Sequence, residues 1–260
     1  MCGRYAAAKD PDALVEEFEV TEVLVEKPLD ADYNVAPTKS VYAVLDHRSK
    51  ESDESVPPVR QLRVVRWGLV PSWAKDPKIG SRMINARVET VAEKPSFRRA
   101  FAARRCLLPA DGYFEWYTPI GDDVPKTKSG KPQKQPFYIH RNDGQSLAMA
   151  GLYEWWRDES KARDDPAGWL LSATIITTSS TDDLGRIHDR MPLVVESAGW
   201  QQWLDPSPTE AANLRELLTP AAETPLAAYP VSTMVNSVRN NGPELLDPLP
   251  LSEAVPGTAF

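Results

Sequence analysis

The stretch RCLLPADGYFEWY, residues 105–117, decides the fold class of this sequence. Its two apolar and aromatic runs, Arg105–Leu108 and Gly112–Tyr117, have the composition of strands and are separated by Pro, Ala and Asp. A third run of the same kind, Pro136–His140, follows the segment Thr118–Lys134, which is dense in charge, Pro and Gly. We therefore predict consecutive strands, with Thr118–Lys134 as a long hairpin loop.

Outside this stretch, strand-like runs outnumber helical ones. The remaining predicted strands are Val41–Leu45, Leu62–Val70, Leu147–Trp155, Trp169–Thr178 and Leu193–Val195. Short predicted helices begin at Asp10-Pro11, Ser96, Ser197 and Ser207-Pro208, and surface excursions are predicted at His47–Pro58 and Arg157–Gly168. Because strands and helices do not alternate regularly, we expect an α+β fold with a curved, barrel-like, mainly antiparallel sheet and a few peripheral helices.

Composition and length indicate a globular protein without a membrane span. A chain of 260 residues, 42% of them hydrophobic, can bury the core of one large domain. The longest apolar runs, such as Trp169–Ile176, are too short to cross a bilayer, and the first residues lack the apolar core of a signal peptide. The two cysteines, Cys2 and Cys106, favour a reducing compartment, and the three histidines lack zinc-site spacing. We predict a cytoplasmic protein with no metal and no cofactor.

Positive charge is concentrated in residues 60–105. This segment holds twelve basic and three acidic residues, a charge of +9 in a chain whose net charge is −7. Aromatic residues lie among them, namely Trp67, Trp73, Phe97 and Phe101. Cations beside flat apolar rings are what a single-stranded nucleic acid requires, because phosphates attract cations and unpaired bases stack on rings. Strands and helices whose charged faces are solvated and whose aromatic residues pack in the core explain the same pattern equally well. Both interpretations therefore stay open.

Cys2 carries unusual chemistry if Met1 is removed, as is usual where a small residue follows the initiator. Its α-amine and thiol have ordinary pKa values of about 8 and about 8.5, so both have unprotonated fractions near neutral pH. An aldehyde can form a Schiff base with the amine, and the sulfur can then close a five-membered thiazolidine. The alternative is an incidental cysteine at a frayed terminus.

Three further segments carry groups suited to proton transfer or binding. The run 85–90, which includes Asn85 and Arg87, places an amide, a guanidinium and a carboxylate close together after a predicted loop. Glu115 lies among aromatic residues, where burial raises a carboxyl pKa, and His188 precedes a predicted strand. A solvent-facing Glu115 and a structural His188 are the open alternatives. Cys106 fits a small core residue better than a nucleophile.

Several separated motifs, taken in order, resemble the SOS-response-associated peptidase (SRAP) family. They are Met1–Tyr5, Tyr33–Pro37, Arg66–Pro71 with Trp73, Ile84–Thr90, Ala110–Trp116, Thr177 and Ile187–Pro192. The resemblance runs from Cys2 to about Gly242. We therefore predict a single domain over residues 2–242 and a Pro-rich C-terminal tail over residues 243–260.

The resemblance implies that Cys2 forms a thiazolidine with the ring-opened sugar of an abasic site in single-stranded DNA. It implies that Asn85 holds the reacting end, that Glu115 acts as general acid and base, and that His188 assists sugar opening and proton transfer. The implied DNA-binding residues are Arg4, Asn34, Pro37, Trp73, Arg87 and Trp116, with Arg4 and Arg87 on backbone phosphates. We also expect that the target can be a strand–duplex junction and that the protein is a monomer associated with the nucleoid. Its expected partners are proteins of the replication fork.

Two other functions stay open on the residues alone. One is a cysteine peptidase or amidohydrolase with Cys2 as nucleophile, His188 as base and Glu115 as orienting group. In that case the bond between Met1 and Cys2 is the one peptide bond that needs to be cleaved. The other is a non-catalytic single-strand-binding module. The basic segment favours DNA binding over the peptidase, and the position of Cys2 favours chemistry over simple binding.

Overall fold

A computed structural model describes residues 2–49, 53, 55–180, 184–209, 214, 218 and 225–258. Within these residues the α-helices are α1 (Pro11–Glu17), α2 (Arg98–Ala103), α3 (Leu184–Ile187) and α4 (Trp200–Leu204). The strands are β1 (Tyr5–Ala7), β2 (Glu22–Leu24), β3 (Asp32–Val35), β4 (Ser40–His47), β5 (Val59–Trp67), β6 (Asn85–Arg87), β7 (Arg105–Ala110), β8 (Gly112–Tyr117), β9 (Gln135–Arg141), β10 (Leu147–Arg157), β11 (Trp169–Ser179), β12 (Arg190–Pro192) and β13 (Leu226–Pro230).

Five strands close into a barrel. They follow the order β11-β10-β7-β4-β5, and β5 returns to β11 through parallel pairing of Arg66 with Ser172 and of Trp67 with Ala173. The other pairs in this ring are antiparallel, while β2, β6 and β12 extend the sheet. The predicted α+β fold with a curved, barrel-like, mainly antiparallel sheet is confirmed.

A second sheet, in the order β13-β9-β8-β1-β3, places the N-terminal strand between two others. Strands β8 and β9 form an antiparallel pair from Gly112 opposite His140 to Tyr117 opposite Gln135. Their connection is the predicted hairpin loop, residues 118–134. Position 112 requires glycine, because a Cβ there would lie 2.4 Å from Cζ of Tyr138.

Alternation along the strands produces separate cores. One fills the barrel and includes Trp67 and Cys106, together with Tyr5 and Tyr113 from the second sheet and Cys2 just before it. The N-terminal segment therefore runs into the barrel core. A second core lies under α1, α2 and α4, where the fully buried Trp203 donates from Nε1 to the Cys106 carbonyl at 2.9 Å.

Several predicted boundaries differ from the structure. Ser96 does not cap α2, since Phe97 occupies the N-cap position and no side chain bonds there. The strand predicted at Leu193–Val195 is instead Arg190–Pro192. The Leu193 amide donates to β11 whereas the Val195 amide donates to β10, so these residues do not continue along one partner strand. The helix predicted from Ser207-Pro208 lies largely outside the described residues.

The described part of the predicted tail contacts the second sheet. Leu245 and Val255 are buried, the Leu249 amide donates to Pro230 at 2.7 Å, and the Val255 amide donates to Gln135 Oε1 at 3.0 Å. The division into a domain and a tail stays a prediction. No helix among the described residues has the length and apolarity needed to span a membrane.

Candidate functional site

Cys2 lies just before β1, with its side chain fully buried in the barrel core. Its carbonyl accepts a hydrogen bond of 2.7 Å from Asn85 Nδ2. Burial, and secondarily the nearby Glu115 carboxylate, raises the pKa of the Cys2 thiol well above its usual range. The thiol is therefore protonated at neutral pH, and the main chain beside it is held in place.

Asn85 owes its position to β6, which pairs in parallel with β11 beyond the end of β5. Its side-chain Nδ2 donates to the Cys2 carbonyl, whereas its buried Oδ1 has no hydrogen-bond partner among the described residues. A buried carbonyl oxygen without a partner costs about 1–3 kcal/mol, so a donor that arrives with a ligand would recover this energy. Asn85 can thus hold the Cys2 segment and still accept from a ligand.

Glu115 lies on β8 on the barrel side, with only 3% of its surface exposed. Tyr113 and Tyr117 flank it on the same face of the strand. Burial raises the pKa of its carboxyl group, and the positive charge of His188 offsets part of that rise. A raised pKa suits a carboxyl group that must both give and take a proton.

His188 follows α3, which packs against β8 and so brings the imidazole toward Glu115. Its Nδ1 lies 3.0 Å from the Arg190 amide nitrogen and 2.8 Å from Asp189 Oδ1. The amide donates only to an unprotonated Nδ1, whereas the carboxylate accepts only from a protonated one. Nδ1 therefore lies between a donor and an acceptor, and either contact orients the imidazole ring.

A cleft of about 560 Å³ opens at His188. Its lining comprises Arg87, Glu89, Thr90, Ser179, His188, Asp189 and Arg190. Arg87 is exposed, while Arg190 pairs with Glu89 and donates to the Thr177 carbonyl. Sequence reasoning missed Arg190, although a second guanidinium two residues after His188 was a usable signal.

Arg4 and Asn34 form a second group of predicted site residues. Arg4 Nη1 donates to Asn34 Oδ1 at 2.7 Å and to the Val235 carbonyl at 2.9 Å. The Arg4 guanidinium also lies over the Trp116 ring, 5.8 Å from its centroid, and Trp116 Nε1 donates to Asn236 Oδ1 at 2.6 Å. Asn34 has no exposed surface.

Trp73 and Pro37 lie on connections. Trp73 is 58% exposed in the loop after β5, whose path depends on close contact between Gly68 and Gly80. A Cβ on either glycine would lie 2.5 Å from a carbonyl oxygen of the other. Pro37 is half-buried in the turn between β3 and β4.

The structure thus brings Cys2, Asn85, Glu115 and His188 together. It joins Arg4, Asn34 and Trp116 in a separate group, whereas the described contacts place Pro37 and Trp73 in neither. Which of these residues contact DNA stays a prediction.

The basic segment does not present all its cations to a ligand. Arg60 pairs with Asp46 at 3.0 Å and Arg104 with Glu154 at 2.7 Å. Arg105 is buried and donates to main-chain carbonyls. The charge counted from the sequence therefore overstates the cations available for binding.

Comparison with solved structures supports the fold. A crystal structure of a protein from Bacteroides thetaiotaomicron matches with a TM-score of 0.73 and 25% identity, covering 95% of this chain and all of that one. A phage-related protein from Bordetella bronchiseptica matches with a TM-score of 0.60 and 28% identity, over 89% of this chain and 95% of that one.

Comparison with sequences gives the family. The abasic site processing protein YoqW of Bacillus subtilis is 38% identical over 247 residues, which cover 95% of this chain and 99% of the relative. The abasic site processing protein HMCES of Xenopus tropicalis is 31% identical, over 85% of this chain and 67% of the relative. The model of the family "SOS response associated peptidase (SRAP)" matches residues 1–238. The chain therefore belongs to the SRAP family.

Proposed function

We propose that this protein captures abasic sites in single-stranded DNA through a covalent bond to Cys2 and thereby shields them. The observation that carries the proposal is the enclosure of Cys2, whose carbonyl is held by Asn85 and whose thiol lies near Glu115. The names of the relatives, abasic site processing proteins, support the same substrate.

The proposed chemistry starts once removal of Met1 has left Cys2 with a free α-amine. The amine attacks the aldehyde of the ring-opened sugar, and the resulting carbinolamine loses water to give an imine. The Cys2 sulfur then adds to the imine carbon, while the thiol proton ends on the nitrogen. The product is a thiazolidine with the mass of protein plus DNA minus one water, and no oxidant or reductant is needed.

The raised pKa of the Cys2 thiol supports this order of steps. A protonated thiol is a poor first nucleophile, so the amine reacts first and the sulfur adds afterwards. In this proposal Glu115 gives a proton to the departing water and regains one from the nitrogen as the imine forms. It then relays the thiol proton to the nitrogen as the sulfur adds. His188 assists sugar opening, and Asn85 holds the reacting end.

The DNA contacts belong to the proposal as well. Arg87 binds a backbone phosphate in the cleft that it shares with His188, and Arg4 binds another. Trp73 and Trp116 offer rings on which unpaired bases stack. Single-strand preference, binding at strand–duplex junctions and recruitment to replication forks are parts of the proposal that need their own tests.

The burial of Cys2 argues against the alternative of a cysteine peptidase. Such an enzyme needs a thiolate as its first nucleophile, whereas burial raises the thiol pKa. Proteolysis would then be limited to the removal of Met1.

The test compares three proteins whose N-termini are verified by intact mass. Mature wild type should give an adduct with an abasic single-stranded oligonucleotide that survives denaturation. Protein that retains Met1 should give none, because an amide nitrogen forms no imine and a hemithioacetal reverses. Mature Cys2→Ser should form a labile imine and nick the strand by β-elimination. A stable adduct from protein verified to retain Met1 would refute the thiazolidine.

A further inference from the structure

The side chain of Asn34 is fully buried and uses both ends of its amide. Oδ1 accepts from Arg4 Nη1 at 2.7 Å. Nδ2 lies within hydrogen-bonding distance of three carbonyl oxygens, those of Val235 at 3.3 Å, Ser237 at 3.0 Å and Asn240 at 2.9 Å. Few side chains can serve one donor and several acceptors at once, and an amide is one of them.

We propose that Asn34 is a positioning residue, which aims Arg4 at the DNA and does not itself touch the strand. The inference rests on the proposed function, since it assumes that Arg4 binds a phosphate. It replaces the expected DNA contact of Asn34 with an indirect role. A side chain with no exposed surface cannot reach a ligand unless the fold opens around it.

The carbonyls that Asn34 binds belong to residues 233–241, a segment that we name the brace. The brace also accepts from Arg4 through the Val235 carbonyl, at 2.9 Å, and from Trp116 through Asn236 Oδ1, at 2.6 Å. Asn34 therefore fixes the segment against which both the Arg4 cation and the Trp116 ring are set. Without its amide, Arg4 and the brace lose their common support.

The arrangement also bears on Arg4 itself. Burial lowers the pKa of its guanidinium, and the nearby Asp32 carboxylate offsets part of that change. The hydrogen bond that Arg4 donates to Asn34 Oδ1 gives the half-buried cation a partner in place of water. The Arg4 carbonyl accepts from the Phe114 amide at 2.9 Å, one residue before Glu115. Asn34 thus holds the side chain of a residue whose main chain is already fixed.

The experiment is a double-mutant cycle between Asn34 and Arg4 on the full-length protein. The measured quantity is the affinity for an undamaged, labelled single-stranded oligonucleotide over a series of salt concentrations. If Asn34 acts through Arg4, Asn34→Ala should weaken binding by about 3- to 10-fold in the wild-type background and hardly at all in Arg4→Ala. Asn34→Ala should also lower the slope of affinity against salt, because a phosphate contact is lost.

An equal loss of affinity in both backgrounds would overturn the inference, since Asn34 would then act on the fold as a whole. An unchanged affinity in both backgrounds would overturn it too. The matched control is Asn142→Ala, at an exposed position in the β9–β10 turn, which should leave affinity and slope unchanged.

If Asn34→Ala does not fold, the cycle is run with Asn34→Ser, whose hydroxyl keeps one donor for the carbonyls of the brace. The shorter side chain leaves Arg4 without its acceptor, so the same coupling is expected. Crosslinking of an abasic oligonucleotide by the wild type is measured in parallel. Coupling without crosslinking would refute the proposed function and leave the positioning role intact, whereas crosslinking without coupling would do the reverse.

Discussion

Arg105 should be essential for stability although it belongs to the basic segment, residues 60–105, for which DNA binding is one of two interpretations of the sequence. It is 2% exposed, and its guanidinium donates to four main-chain carbonyls. Nε bonds to Trp203 at 2.7 Å, Nη1 to Phe101 at 2.8 Å and to Ala102 at 2.7 Å, and Nη2 to Asp205. These bonds tie the end of α2 to the end of α4 across the start of β7.

Replacing Arg105 with Lys keeps the charge but concentrates all donors on one nitrogen. A single ammonium cannot reach carbonyls placed around a planar fork, so at least two bonds should be lost. Each hydrogen bond to a charged group contributes about 1.5–3 kcal/mol, so two lost bonds lower the free energy of unfolding by about 3–6 kcal/mol.

Urea denaturation followed by circular dichroism measures that loss, with Arg99→Lys, an exposed position on α2, as the matched control. The folded Arg105→Lys protein should bind undamaged single strands as wild type does, with the same salt dependence. An unchanged stability together with a lower salt slope would refute the reasoning and return Arg105 to the DNA interface.

The remaining predictions concern the site. Arg87→Ala should weaken binding of undamaged single strands and reduce the slope of log affinity against log salt by about 0.7, and an unchanged slope would remove Arg87 from the interface. Glu115→Gln should slow crosslinking by about 10²–10⁴-fold with little change in DNA affinity, so equal rates would make Glu115 structural. Burial raises the pKa of Glu115, so its stabilising effect is complete below the unfolded pKa and is lost as the pH rises through the folded pKa. The unfolding temperature of Glu115→Gln should therefore rise relative to that of wild type as the pH increases from about 4. A difference between the two proteins that does not depend on pH would contradict this sign.

Local composition was sufficient to find the long strands but not to close the barrel. Strands such as Gly112–Tyr117 carry enough aromatic residues to be recognised by themselves, and hairpin loops follow from the polar segments between them. The closing contact pairs Trp67 with Ala173, more than a hundred positions away, and no local pattern encodes it. Strands β1 and β6 have three residues each, too few for any alternation to be detected.

The sequence was sufficient to propose a chemistry for the site, but not to assign the roles of its arginines. An N-terminal cysteine and a carboxylate among rings, at Cys2 and Glu115, indicate their chemistry by residue type. A guanidinium does not, because the same group serves a phosphate in solvent or four carbonyls in a core. Arg87 is exposed whereas Arg105 is buried, and exposure depends on packing between distant segments.

Of two predicted excursions, one joins strands of the second sheet and the other joins strands of the barrel, and strand direction decides which of them lies near the site. Residues 118–134 begin two positions after Trp116, and Lys134 at their end exerts a positive field on Glu115. Residues 158–168 instead join β10 to the start of β11, at Trp169. The site lies near the other end of β11, where Thr177 pairs with Arg87, and eight residues of strand span roughly 26 Å. Under the proposed function, a strand of DNA held by Arg87 would therefore lie closer to the first loop than to the second.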